Sequence, residues 1–321
     1  MKKPLIVLTG PTAVGKTKLS ILLAQKINGE IISADSMQVY KHMDIGSAKI
    51  MPLEMQGITH YLIDELMPDE AFHIVRFQQM AKTAMEQIYA KGKIPILVGG
   101  TGFYIQAITR DIDFTQAEQE GAYRIELEAL AKEKGPAFLH SMLREADPVS
   151  AEEIHENNVK RVIRALEFYH QNRYPISEHN QEQKQRVSPY ALAYFVLNAP
   201  RELLYQRIDV RVDEMIQNGL LEEVTKLKDM GYHRNMVSMQ GLGYKEILSY
   251  LDGEISLDEA IRIIKRDTRH FAKRQITWFK REEGVIWVNK EQFAFDDDQI
   301  LQYMLAQLKE KDIVFPLKFE I

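Results

Sequence analysis

The sequence predicts an α/β protein in which a parallel-sheet core is interrupted by an all-helical domain, and three observations carry that prediction. Apolar runs of strand length recur at 4–10 (PLIVLTG), 30–33 (EIIS), 60–64 (HYLID), 94–100 (IPILVGG) and 191–198 (ALAYFVLN). They are continuous rather than alternating, as strands buried on both faces of a parallel sheet are. Helical patterns lie between them, Leu19, Leu22, Leu23 and Ile27 in one and Phe77, Met80, Ala84 and Ile88 in another, so strand and helix alternate. After about Asp113 strand-like runs stop and helical spacing takes over until Val187. The expected division is a core of 1–113 with 187–321 and a helical insertion of 114–186.

Composition bounds the rest. A chain of 321 residues has room for two cores, and 45% hydrophobic with 27% charged residues is ordinary for a globular protein, which excludes disordered and fibrous classes. No apolar run approaches the roughly 20 residues that cross a bilayer. The first strand-like run begins at Pro4, which leaves no room for a secretory signal, so a cytoplasmic location and no membrane partner are expected. With no cysteine, disulfides, thiolate metal sites and cysteine nucleophiles are excluded together, and any metal must be a hard ion on oxygen ligands. The net charge of −5 hides a local excess. Between Ala260 and Arg281, eight basic residues (Arg262, Lys265, Arg266, Arg269, Lys273, Arg274, Lys280, Arg281) stand against Asp267 alone.

The first strand runs into Gly10-Pro11-Thr12-Ala13-Val14-Gly15-Lys16-Thr17, a glycine, four residues, then Gly-Lys-Thr. In a strand–loop–helix setting the glycines let backbone amides turn inward around phosphate oxygens, and the next helix presents its positive end to them. Lys16 adds a mobile charge and Thr17 a hydroxyl suited to magnesium, so the core is read as phosphate-loop NTPase-like. The loop alone leaves open whether it holds a nucleotide, a phosphoryl donor or a pyrophosphate leaving group. After EIIS comes ADSMQVYKHMDIGSAK, past the carboxyl end of a strand, where open α/β sheets bind ligands. Asp35 there is ionised at neutral pH and able to accept a proton, or else is a helix cap or structural acceptor. Asp64, ending HYLID, is either a plain strand end or the magnesium-anchoring aspartate of an NTPase. IPILVGGTGFY brings Gly99-Gly100-Thr101 to a strand end, either as a turn ahead of a helix or as a close approach to a ligand.

In the insertion Ile125, Leu127 and Leu130, then Phe138, Met142 and Leu143, then Val159, Val162, Ile163 and Leu166 keep helical spacing, with breaks at Pro136, Pro148, Pro175 and Pro189. From 200 to 282 the chain is again mostly helical around one irregular stretch, MGYHRNMVSMQGLGYKE, and Asp296-Asp297-Asp298 opens the last helix. The basic helix interleaves His270, Phe271, Trp278 and Phe279, which combines phosphate neutralisation with stacking surfaces. Phe271 and Trp278 lie seven apart on one face, which favours a core role for most of these rings.

GPTAVGKT, DSMQVY, MDIGSAK, LVGGTGFY, RVIRALE, RELLYQRIDVRVDEM, GLGYKE and AKRQITWFKR, in order between about residues 4 and 288, together resemble the tRNA dimethylallyltransferases, also called tRNA isopentenyltransferases. Ser47 stands in MDIGSAK where threonine is commoner in that family. No zinc-finger extension follows, as in the bacterial type. The resemblance implies transfer of a dimethylallyl group from dimethylallyl diphosphate to the exocyclic amine of the adenosine 3′ to the anticodon of a tRNA reading codons that begin with U. It further implies magnesium near Thr17 and a monomer. Gly10 to Thr17 would hold the diphosphate and Asp35 would take the amine proton. Thr101 would hydrogen-bond near the bridging oxygen or the amine, and Arg211 would reach the pyrophosphate. Asp35, Ser36, Met37, Gln38 and Thr101 would meet the target base and its neighbours. Arg124, Lys160, Arg161 and Arg164 on the insertion would grip the anticodon stem-loop, with Gln240, Gly243, Tyr244, Lys245, Lys273 and Arg274 as further tRNA contacts. Two other classes compete. A small-molecule or nucleotide kinase would use ATP on the same loop with the insertion as a lid, and an NTP-driven RNA-binding switch would carry an Asn-Lys-x-Asp motif, which is absent.

Overall fold

The computed structural model describes residues 2–114 and 121–313. The chain forms two compact units, 1–109 with 188–321 and 110–187. The first begins with β1 (Pro4–Thr9), α1 (Lys16–Ile27), β2 (Gly29–Ala34), β3 (His60–Tyr61), α2 (Ile74–Ala90), β4 (Ile94–Gly99) and α3 (Gly102–Thr109). The second is helical throughout its described residues: α4 (Gly121–Lys134), α5 (Pro136–Ala146), α6 (Pro148–Glu153), α7 (Val159–Asn172) and α8 (Ile176–Gln185). The first unit then resumes with β5 (Ala191–Asn198), α9 (Arg201–Gln217), α10 (Leu220–Asp229), α11 (Tyr244–Leu251), α12 (Leu257–Phe279), β6 (Ile286–Asn289) and α13 (Asp297–Glu310).

The strands form one sheet in the order β3-β2-β4-β1-β5-β6, and every pairing is parallel. In β1 Leu5 and Val7 pack into one layer and Ile6 and Leu8 into the other, so the run is apolar without alternation. Ile6 and Leu8 meet Leu19 and Leu23 of α1 and Ile300 and Met304 of α13. Leu5 and Val7 share a cluster with Phe77 and Ala81 of α2, Ile105 of α3, Ile247 of α11 and Ile264 and Phe279 of α12. At the amino edge, buried Glu30 accepts from Tyr61, Lys91 and Lys93 at 2.8, 3.0 and 2.8 Å. Burial alone would raise its pKa, but these donors outweigh it and hold the carboxyl at about 2.

Two elements differ from their sequence pattern. HYLID supplies only the two residues of β3, because Leu62 and Asp64 turn to φ 62° and 55° and leave the sheet. β6 has four residues and one neighbour, β5, and its short apolar run, Ile286-Trp287-Val288, falls outside the strand-like runs read from the sequence. Asp296 caps α13 by accepting from the amides of Asp298 and Gln299, which accounts for the acidic triplet.

The helical unit closes on Leu127, Leu139, Leu143, Val162, Ile163 and Leu166. Pro136 and Pro148 occupy first-turn positions of α5 and α6, where the missing N–H costs nothing. Buried Asp147 ties two breaks together, accepting from the amides of Ser150 and Ser177 at 2.9 Å each. Ile125 and Phe138, part of the apolar spacing, are 67% and 37% exposed and lie outside this core. No helix among the described residues is long and apolar enough to cross a membrane.

Candidate active site

Sheet register builds the site. Thr9 of β1 and Ala34 of β2 both pair with Gly99 of the strand between them, β4. Gly10, Asp35 and Gly100 are therefore the next residues past one rung. With strands about 4.8 Å apart, Asp35 lies roughly 10 Å across the edge from the phosphate loop. The rung is fastened by Thr9 Oγ1 donating to Gly99 O at 2.6 Å and by the Thr101 amide donating to Ala34 O at 3.3 Å.

The loop has the backbone its sequence demands. Gly10 has φ 145°, and a Cβ there would lie 2.4 Å from Leu197 O, so only glycine fits. Ala13 and Gly15 are left-handed at φ 62° and 92°. Gly15 caps α1 without a side-chain hydrogen bond, and the first turn holds no acidic residue, so its amides are free for an anion. Val14 is fully buried and contributes backbone only. Thr17 is exposed beside the loop. Lys16 folds back so that Nζ donates to Gly10 O at 3.0 Å and Pro11 O at 2.9 Å. Burial and then the Arg211 guanidinium lower its pKa to about 8, against an opposing pull from Asp35. Arg211, half-buried on α9, is itself pulled below its usual value by burial. The structure thus brings Lys16 into electrostatic reach of both Arg211 and Asp35.

Asp35 carries both of its sequence readings at once. Oδ1 accepts from the amides of Met37 at 2.8 Å and Gln38 at 3.3 Å, a local cap, while Oδ2 has no hydrogen-bond partner among the described residues. Burial raises its pKa, and the two amides and Lys16 pull the other way. Gln38 Nε2 donates to Ser47 O at 3.4 Å and Ala48 O at 3.2 Å, which ties the DSMQ turn to the MDIGSAK loop. Ser36 and Met37 are half-buried, and Met37 packs against Gly241.

That second loop is organised from inside. Lys49, buried, donates to Tyr40 O and Asp44 at 2.6 Å each and also to Asp64. Asp64 therefore holds a lysine, and the reading of it as a magnesium anchor is set aside. Glu223 of α10 accepts from the amides of Asp44, Ile45 and Gly46 at 2.9, 2.7 and 3.1 Å, and from the Tyr244 hydroxyl at 2.8 Å. Tyr244 is fully buried and Gly243 is buried, so the expectation that they contact tRNA is corrected: the phenol faces inward, where its hydroxyl donates to a carboxylate 21 residues away. Gln240 is exposed and donates to Arg234 O, and Lys245 is half-buried, 3.4 Å from Glu246.

The Gly-Gly-Thr-Gly turn meets α12. A Cβ on Gly100 would lie 2.1 Å from Gln275 Nε2, and one on Gly102 would lie 2.2 Å from Trp278 Cδ1. The glycines therefore admit protein side chains. Gln275, buried, donates to Gly100 O at 3.0 Å and accepts from the Thr12 amide at 2.9 Å. Thr12 was expected to offer that amide to a diphosphate; here Gln275 occupies it. The Thr101 hydroxyl is half-exposed and has no partner among the described residues.

The cations of α12, with Lys280 and Arg281 just past its end, divide in two. Arg262, Lys265, Arg266 and Arg269 are paired with Glu259, Asp213, Asp267 and Asp209. Lys273, Arg274, Lys280 and Arg281 have no acidic partner among the described residues. Lys273, Arg274 and Arg281 line a pocket of about 460 Å³ with His270, Thr277 and Trp278. Phe279 is fully buried, Phe271 is half-buried under the Arg274 guanidinium, and Trp278 is half-buried. On the helical unit Lys160 and Arg161 are exposed and Arg164 is half-buried, while Arg124 is held in a two-pronged pair with Glu167 at 2.8 and 2.7 Å.

A family model described as IPP transferase matches residues 38–282. The chain belongs to that family. Relatives of this IPP transferase include the tRNA dimethylallyltransferase of Lachnoclostridium phytofermentans, 61% identical over 97% of this chain and 99% of the relative. That of Acetivibrio thermocellus is 52% identical over 94% and 97%. Among solved structures, the full-length tRNA isopentenylpyrophosphate transferase of Bacillus halodurans matches with a TM-score of 0.72 at 43% identity, covering 97% and 98% of the two chains. A eukaryotic dimethylallyltransferase acting on tRNA matches with a TM-score of 0.82 at 30% identity, over 99% of this chain and 81% of that one. GPTAVGKT, DSMQVY and LVGGTGFY fall on the loops of the rung, but two residues that organise the site, Gln275 and Glu223, do not stand out in sequence. A glutamine inside a basic run and a glutamate in an amphipathic helix both read as solvated.

Proposed function

We propose that this IPP transferase moves the dimethylallyl group of dimethylallyl diphosphate onto the exocyclic amine of the adenosine 3′ to the anticodon in tRNAs that read codons beginning with U. The observation that carries the reading is the shared rung, which sets a phosphate-gripping loop and a carboxylate with one open oxygen roughly 10 Å apart at one sheet edge. The names of the relatives support tRNA as acceptor. A kinase would want a magnesium aspartate beside the loop, and Asp64 is held by Lys49.

In the transfer the allylic carbon–oxygen bond breaks, a carbon–nitrogen bond forms, and the amine proton goes to Asp35 Oδ2. The free amides of the loop, Lys16 and Arg211 stabilise the charge that develops on pyrophosphate as it leaves. The adenine amine is a weak nucleophile because its lone pair is delocalised into the ring, so removing its proton during attack helps the step most. Burial raises the Asp35 pKa, which makes its carboxylate a better proton acceptor. The Thr101 hydroxyl, two residues past the rung, orients the amine or the bridging oxygen. Thr17, exposed at the start of α1, offers the hard oxygen donor that a magnesium ion wants, and when bound that ion neutralises further charge on the diphosphate. The adenine must leave its stack at a cost of a few kcal/mol, which contacts at Lys273, Arg274, Lys160, Arg161 and Arg164 offset. The protein acts in the cytoplasm as a monomer.

The test is transfer of label from radiolabelled dimethylallyl diphosphate to such a tRNA, with magnesium omitted and restored. Label on the adenosine supports the reading; ATP turnover without label transfer overturns it.

A further inference from the structure

We infer that Gln275 is a positioning residue that fixes the separation between the leaving-group grip and the reacting centre. The inference rests on the reaction proposed above. One amide spans two loops of the rung: Oε1 accepts from Thr12 in the phosphate loop at 2.9 Å, and Nε2 donates to Gly100 O, next to Thr101, at 3.0 Å. Both bonds are short, and the side chain is only 6% exposed, so it cannot itself touch RNA. Glycine at 100 is what lets the amide come this close, since any Cβ would collide with Nε2.

The span also reaches the RNA side. Gln275 shares α12 with Lys273 and Arg274, which line the cationic pocket together with Arg281 just past the helix end, and Trp278, three residues on, fills the space over Gly102. Ala272, on the same helix, packs with Ala13 of the phosphate loop and Ile208 of α9. One rigid helix therefore fixes both loops, and glutamine supplies the acceptor and the donor that the two backbone groups require. A shift of about 1 Å between reacting groups costs on the order of 100-fold in rate, so a strap at this point acts on the chemical step.

The experiment compares wild type with Gln275→Met, which keeps the volume and removes both bonds. The measurements are single-turnover transfer at saturating substrates, KM for tRNA, and affinity for inorganic pyrophosphate by calorimetry. We expect the single-turnover rate to fall 10- to 100-fold, KM for tRNA to stay within about twofold, and pyrophosphate affinity to hold or tighten as the Thr12 amide is released. An unchanged rate, or a loss carried by KM or by pyrophosphate affinity, overturns the role. If Gln275→Met fails to fold by thermal melting, Gln275→Glu carries the same comparison, since it keeps the acceptor for Thr12 and loses the donor to Gly100. A wild-type protein that transfers no label overturns the proposed reaction instead. The strap is then read by deuterium exchange at the Thr12 amide, which is slow in wild type and fast in the variant if Gln275 holds it and equal in both if it does not.

Discussion

Raising the pH from 7 to 9 weakens diphosphate binding by about tenfold, and the cause is one ammonium group. Lys16 has a pKa of about 8 in the unliganded protein, lowered by burial and by Arg211. About ten in eleven molecules carry the charge at pH 7 and about one in eleven at pH 9. An anion beside Lys16 raises its pKa, so the complex keeps the proton that the free protein loses. Affinity is therefore full below pH 8 and declines above it, by about 1.4 kcal/mol over this interval. Calorimetry of dimethylallyl diphosphate binding at pH 8.5, in two buffers of different ionisation enthalpy, reads this directly as uptake of about 0.8 proton per ligand. Lys16→Met binds more weakly at pH 7 and shows no uptake. Binding without proton uptake in wild type, at an affinity equal at pH 7 and 9, would refute the reasoning.

Asp35→Asn keeps the cap on Met37 and Gln38 but loses the acceptor, so single-turnover transfer drops about 100-fold or more while pyrophosphate affinity is kept; a loss confined to affinity would remove Asp35 as base. Lys273, Arg274, Lys280 and Arg281, the cations without an acidic partner among the described residues, set their share of the log–log salt dependence of tRNA binding at about −3 to −4, so replacing all four with alanine should flatten the measured slope by that amount. Tyr244→Phe lowers stability by about 1–2 kcal/mol through loss of the Glu223 bond and leaves tRNA affinity unchanged, whereas a direct RNA contact would show in the affinity. Glu30 has its pKa depressed from 4.5 to about 2, so it adds roughly 3 kcal/mol of stability above pH 4.5, lost as pH falls through 2. Melting temperatures of wild type and Glu30→Gln should converge over that range, and a constant gap would contradict it.

Strands buried on both faces announced themselves as apolar runs, and the phosphate loop as spacing, because both depend on local residue order. What stayed hidden depends on partners distant in sequence. Nothing near Lys265 or Arg269 reveals that Asp213 and Asp209, 52 and 60 residues away, neutralise them. Direction is equally hidden in a motif: GLGYKE gives Tyr244 its place but not the inward turn toward Glu223. Asp64 keeps both its readings, plain strand end and magnesium anchor, until the backbone at Leu62 leaves the sheet and delivers its carboxylate to Lys49. The role of Gln275 needs three elements folded together before either of its bonds exists.

Helix α1 starts against every local rule, with glycine at its cap, lysines at positions 16 and 18 and no carboxylate in its first turn. Such a helix start favours an anion, and in the reaction proposed above that anion is the diphosphate. The substrate is in that sense a detachable part of the fold, fitted at the start of each catalytic cycle and taken away at its end. Pyrophosphate completes the helix as well as the substrate does, since the five carbons take no part in the cap. On the proposed reaction, product therefore competes with substrate for the same helix end, and added pyrophosphate should both inhibit transfer and raise the melting temperature.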